Sequence, residues 1–354
     1  MNALADERIP VIIVTGFLGS GKTTLLNRLL RDPRWADTLV IVNELGEVGL
    51  DHLLIESAED TLLLLDSGCL CCALQGGFRE TLADLYVRRV KGAVPRFARV
   101  IVETTGLADP GPVANALAAD SLLRAEFRLA GIVTTVDAFA GAATLSQQWE
   151  AVRQVAMADL LVLTKLDLAS VRETADLRER LAALNPIARR VEGAEAMATL
   201  CPADFDTVGA QAVLTLQPGA GADRSGLGRG RLDRGRIAPD APVHDPQIVA
   251  CSAIFDQAVD WPAIAAWQRC IVEDFGRQML RVKALLRLED AEGPVVLHGI
   301  GAYFHPPERR SRWPSEDRRS RLVCIGRAID AEALRESLAL LVPHTGAASA
   351  ITLP

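Results

Sequence analysis

Val11–Leu30 reads VIIVTGFLGSGKTTLLNRLL. An apolar β-branched run leads into a glycine-rich turn, and a helical pattern of leucines follows. Gly16, Gly21, Lys22 and Thr23 fit G-x-x-x-x-G-K-[ST] at that junction, the spacing of a phosphate-binding loop. Glycines let successive backbone N–H groups turn inward around a β-phosphate, and the helix N-terminus adds its partial positive charge. Lys22 is expected to reach the β- and γ-phosphates, and the Thr23 hydroxyl to ligate Mg²⁺. Gly19, Ser20 and Thr24 complete the expected cradle.

Outward from this loop, the first 170 or so residues alternate buried strands with helices. Val11–Thr15, Leu39–Asn43, Arg99–Glu103, Gly131–Asp137 and Leu160–Lys165 read as strands, with helices at Thr23–Leu30, Phe78–Val90 and Pro112–Leu123. Strands without polar alternation, separated by helices, imply a mostly parallel sheet covered on both faces. The fold class is therefore α/β, a P-loop NTPase domain, with ligands expected beyond the carboxyl ends of the strands.

Residues 1–215 are assigned to this domain. Glycine, arginine, aspartate and proline dominate 216–243, which reads as a flexible linker; a nucleic-acid-binding Arg/Gly segment is the less favoured reading, because aspartates interrupt it. Residues 244–354 form a smaller α+β domain, with strands at Ile248–Phe255, Val295–Phe304 and Leu322–Arg327 and helices at Trp261–Gly276 and Ala331–Leu341.

Carboxylates at strand ends supply the metal side of the site. RVIVETTG places Glu103 at a strand terminus, where it suits direct or water-mediated contact with Mg²⁺. NELGEVGLD, with Glu44, Glu47 and Asp51, suits a segment that senses the γ-phosphate. Leu107 stands where Ras-like enzymes hold a water-orienting glutamine, so slow intrinsic hydrolysis is expected. In TKLD, Asp167 can accept from guanine N1 and N2 while the Lys165 stem lies along the base. Adenine lacks that donor pair. Thr164 replaces the more usual asparagine.

Cys69, Cys71 and Cys72 fall within four positions, after a Ser67–Gly68 turn. Thiolates favour soft transition metals such as Zn²⁺, Co²⁺ or Cu⁺. A redox dithiol or a cluster of buried cysteines stays open beside that reading. Cys201, Cys251, Cys270 and Cys324 read as single core residues, and His298 and His305 as structural histidines.

The chain carries 38 basic and 45 acidic side chains, net charge -7, and is 49% hydrophobic. That balance argues against bulk binding to nucleic acid or anionic membranes. Met1–Pro10 lacks an apolar signal core, no run approaches the length of a membrane span, and a cytoplasmic protein is expected.

GFLGSGKTT, NELGEVGLD, GCLCC, ETTGLADP and TKLD together resemble CobW-type members of the CobW/HypB/UreG GTPase family, and HGIGAYF and LVCIGR resemble the CobW C-terminal domain. The resemblance covers nearly the whole chain. It implies a GTP- and Mg²⁺-dependent metallochaperone whose CxCC thiolates (Cys69, Cys71, Cys72) carry Zn²⁺ or Co²⁺ to a client metalloprotein. It also implies that Lys22, Thr23, Glu103 and Glu44 serve hydrolysis, that Thr23 and Glu103 hold Mg²⁺, and that Lys165 and Asp167 read guanine. A homodimer stays open as an assembly. The linker holds arginines and only His244 where many relatives carry a histidine-rich tract, so no auxiliary metal store is implied. Two other classes compete: a nucleotide-gated module without metal cargo, and a small-molecule kinase, against which TKLD weighs.

Overall fold

A computed structural model describes residues 7–42, 62–64, 70–200, 248–289 and 291–341. Two sheets organise them. The first has seven strands in the order β3-β2-β4-β1-β5-β6-β7: β1 (Ile9–Thr15), β2 (Thr38–Val42), β3 (Leu62–Leu64), β4 (Arg99–Glu103), β5 (Phe127–Asp137), β6 (Leu160–Thr164) and β7 (Arg189–Glu192). Every pairing in it is parallel.

Helices cover both faces, as continuous apolar strands such as Thr38–Val42 require. They are α1 (Lys22–Leu30), α2 (Leu70–Val90), α3 (Gly111–Ala119), α4 (Ser121–Glu126), α5 (Gly141–Gln147), α6 (Trp149–Met157), α7 (Val171–Leu184) and α8 (Gly193–Thr199). On one side Leu25, Leu26 and Leu29 of α1 pack on Ile12, Val14, Val40 and Val162. On the other, Phe78, Leu82 and Leu85 of α2 pack on Val11, Ile13, Val100 and Val102.

The expected α/β class is present, with local differences. Pro112–Leu123 is two helices, because Asp120 leaves helical geometry (φ -90, ψ 135) and its carboxylate caps Leu122 and Leu123 N–H. The fifth strand starts at Phe127, earlier than expected, since Ile9 to Val11 pair with Phe127 to Leu129 and extend it. Helix α2 begins at Leu70, well before Phe78.

The second sheet is antiparallel and six-stranded: β8 (Ile248–Phe255), β9 (Met279–Leu286), β10 (Val295–Ile300), β11 (Tyr303–Phe304), β12 (Glu308–Arg309) and β13 (Ser320–Arg327). The expected strand Val295–Phe304 is a hairpin of β10 and β11. Strand β9, absent from the sequence reading, pairs on one side with β10 and on the other with β13. One face of this sheet packs Val282, Ala284, Leu286 and Leu297 on α9 (Trp261–Phe275) and α10 (Ala331–Ser337). The opposite face, with Leu285, Val296, Ile300, Val323 and Ile325, shares one apolar core with Val113, Phe127, Ala156 and Met157 of the first domain.

Cys251 and Cys324 are buried free thiols, and they are register partners across β8 and β13, so neither stands alone. Cys270 is partly buried, packs against the core of the second domain and donates to Asp274. The expected linker 216–243, Cys201 and the Glu44–Asp51 segment lie outside the described residues. No helix among the described residues is long and apolar enough to cross a membrane.

Candidate nucleotide and metal site

The expected site residues that are described gather at the carboxyl edge of the parallel sheet. Between β1 and α1, Gly16, Gly19 and Gly21 all have positive φ (143, 71 and 95). At Gly16 a Cβ would collide with Thr135 and Ser20, so this turn admits glycine alone. Ser20 and Thr135 are joined hydroxyl to hydroxyl at 2.6 Å, which ties the loop to β5. Lys22 Nζ donates to the Gly16 carbonyl at 2.8 Å and to the Phe17 carbonyl at 3.3 Å. Its ammonium therefore sits across the loop mouth, as a phosphate-binding lysine must.

Thr23 Oγ1, on the first turn of α1, donates to Glu103 Oε1 at 3.0 Å. Glu103 ends β4, two strands of the same sheet bringing the pair together, and is only 5% exposed. A hydroxyl and a carboxylate oxygen side by side at the phosphate loop match the hard oxygen donors that Mg²⁺ takes, so the residues present fit that ion.

TKLD lies on the far side of the loop. Thr164 Oγ1 donates to the Ser20 carbonyl at 2.7 Å, bracing the phosphate loop against β6. Threonine in place of asparagine thus keeps a link between the two motifs. Lys165 turns with φ 54 and its Nζ reaches Asp137 Oδ2 at 2.7 Å. Burial pushes the Asp137 carboxyl up, but the Lys165 hydrogen bond and two backbone N–H groups outweigh it and hold it below its ordinary value. Asp167 is exposed. It shares the wall of a cleft of about 320 Å³ with Gly21, Thr24, Arg28 and Lys165.

Of the cysteine motif, Cys71 and Cys72 lie in the first turn of α2, and Cys69 falls outside the described residues. That turn follows β3, which pairs with β2, which pairs in turn with the β4 strand ending at Glu103. Among the described residues no cluster of three or more His, Cys, Asp or Glu is placed to hold a metal ion.

Residues 10–192 match the model of the CobW/HypB/UreG nucleotide-binding domain, and residues 248–341 match the cobalamin synthesis protein CobW C-terminal domain. The chain belongs to this family. It is accordingly a P-loop GTPase with the CobW two-domain layout. A zinc chaperone of Escherichia coli, YjiA, is 29% identical over 336 residues, covering 94% of this chain and 98% of that protein. The zinc-regulated GTPase metalloprotein activator 1 of Schizosaccharomyces pombe is 34% identical, over 52% of this chain and 46% of its own length. The zinc-bound YjiA GTPase structure superposes with a TM-score of 0.65 at 23% identity, covering 95% of this chain and 99% of that one, which supports the shared fold.

The sequence reading missed Asp137, Ser20's tie to Thr135 and the buried Gln154. Asp137 had a usable signal, a carboxylate at a strand end beside TKLD. Gln154 had none, being one polar residue among alanines and valines of an ordinary helix.

Proposed function

We propose that this CobW-family GTPase carries a thiophilic divalent ion, Zn²⁺ first and Co²⁺ second, and releases it to a client metalloprotein when GTP is hydrolysed. The observation that supports this most directly is the position of Cys71 and Cys72 at the start of α2, at the same sheet edge as the phosphate loop and Glu103. Relatives named as zinc chaperones along nearly the full length support the same reading. GTP occupies the cleft with its phosphates over Gly16–Thr24 and guanine against Lys165 and Asp167. Thr23 and Glu103 hold Mg²⁺, which neutralises charge on the β- and γ-phosphates when bound. Lys22, held on the Gly16 and Phe17 carbonyls, stabilises the same charge. The cysteines take the cargo as thiolates, so metal uptake releases protons.

The test is substitution of Cys69, Cys71 and Cys72 by serine together. The expected outcome is loss of Zn²⁺ binding, with the GTP affinity of the Zn²⁺-free protein unchanged within about threefold. A variant that keeps full Zn²⁺ affinity would remove the cargo site from this motif.

A further inference from the structure

Helix α6 bears polar side chains whose partners all lie outside it. Gln154 is 1% exposed, and its Nε2 donates to the Gly106 carbonyl at 3.1 Å and the Ala108 carbonyl at 3.0 Å. Reversing the amide would set an oxygen against two carbonyl oxygens, so the chemistry fixes Gln154 as the donor. Next to it, Arg153 pairs with Asp109 at 2.8 Å. Gly106, Ala108 and Asp109 belong to the loop that leaves β4 at Glu103. That loop rests on the phosphate loop: a Cβ on Gly106 would fall 2.6 Å from the Leu18 nitrogen.

The other end of α6 meets the second domain. Asp159, two residues past the end of α6 and beyond its extended C-cap Ala158, is 4% exposed. Its Oδ1 accepts from Arg281 Nη2 at 2.6 Å and Lys283 Nζ at 2.5 Å, both on β9. Its Oδ2 accepts from Ile132 N–H at 2.9 Å, anchoring the carboxylate to β5 as well. Between these ends, the Met157 methyl would lie 3.4 Å from a Cβ on Gly111, and Ile300 of β10 approaches the same point. Trp149, at the start of α6, stacks under the Arg327 guanidinium at 3.9 Å. A buried triad of one carboxylate and two cations is costly unless its geometry is fixed, so the two domains cannot slide at this point without breaking it.

We propose that α6 is a strut between the Gly106–Asp109 loop and the C-terminal sheet, and that Gln154 is the positioning residue for that loop in GTP hydrolysis. This rests on the proposed GTPase reading, in which Leu107 of this loop stands where Ras-like enzymes hold a water-orienting glutamine. The nucleotide state then shifts α6, and α6 carries the shift into β9 and β10, the only sheet that Asp159 grips outside its own domain among the described residues. By reciprocity, a client seated on the C-terminal domain changes GTP affinity by the factor by which GTP changes client affinity.

The test uses the full-length protein with Mg²⁺ and either GDP or a non-hydrolysable GTP analogue. Amide hydrogen exchange over residues 279–300 should differ between the two nucleotides in the wild type. Gln154→Leu should erase that difference and lower kcat for GTP roughly 10- to 100-fold, the scale of a slight misplacement of a catalytic loop, with KM within about threefold. Gln154→Met, which keeps the length but cannot donate, should behave like Gln154→Leu. A merely structural glutamine would lower the melting temperature and leave kcat and the exchange difference intact, which would overturn the proposal. So would identical exchange in the two nucleotide states of the wild type, a measurement that needs no variant to fold. A failure of the GTP reading looks different: the wild type would bind neither nucleotide with Mg²⁺, and the strut would fall with it.

Discussion

The front edge of the parallel sheet and the seam behind α6 solve opposite problems with the same residue types. At the front, Lys22, Thr23 and Glu103 stand at strand and helix ends, with their polar atoms gathered at the phosphate loop. At the seam, one Asp159 carboxylate oxygen accepts from both Arg281 and Lys283, and all three residues are 4% exposed or less. Burial raises the Asp159 carboxyl, but the charges of Arg281 and Lys283 outweigh it and hold the group well below the carboxylate range. Charges in the first region are arranged to meet a ligand; charges in the second hold two domains at a fixed relation. The seam should therefore govern stability and the edge should govern chemistry.

Asp159→Ala gives the sharpest separation. It leaves Arg281 and Lys283 buried without their anion, and a loss of about 3–5 kcal/mol is expected, read from the urea unfolding midpoint. A loss below about 1 kcal/mol would mean that the seam relaxes or admits water. Lys22→Ala, at the front, should cut kcat for GTP roughly 10²- to 10³-fold, the cost of removing a charge-stabilising donor. The same denaturation midpoint should move little. If Lys22→Ala destabilised the fold as much as Asp159→Ala, the division of labour would be wrong.

The pH dependence is a smaller effect at the seam. Burial, reinforced by the nearby Arg281 charge, brings His305 down to about 4, and burial also sets His298 well below its ordinary 6.5. The unfolded chain protonates both imidazoles near 6.5, whereas the folded protein keeps them neutral down to about 4 in the case of His305. The unfolded state then binds more protons in that window, so stability falls on acidification, by up to about 1.4 kcal/mol per pH unit for each histidine. Urea midpoints from pH 7 to pH 4 check this, and His305→Asn should flatten the slope. An unchanged slope would show that His305 is not held neutral.

The two regions also differ in how far the sequence revealed them. The phosphate loop, Glu103 and TKLD are local strings whose spacing carries their chemistry, and the structure brings them to one edge. Five of the seven parallel strands were legible as apolar runs; β3, three residues long, and β7, whose RRVE is mostly charged, were not. Strand β9 was not, since Arg281 and Lys283 interrupt MLRVKALL and give it the look of a solvent-facing segment. Only the folded chain shows that a single aspartate, more than a hundred residues away, takes both charges. Gln154 escaped for the same reason, as its meaning lies in two carbonyls 46 and 48 positions earlier. Asp120 splitting α3 from α4 was readable as a helix cap in principle, but the apolar run on either side disguised it.

The most direct test of the whole account is a Co²⁺ titration of the reduced protein, run with Mg²⁺ and a non-hydrolysable GTP analogue and again with Mg²⁺ and GDP. Thiolate-to-cobalt charge transfer reports the ligands. The account predicts that absorption, with affinity in the GTP state tighter by about 5- to 150-fold. Equal affinity in both states, or binding without a thiolate band, would contradict a nucleotide-gated cargo site.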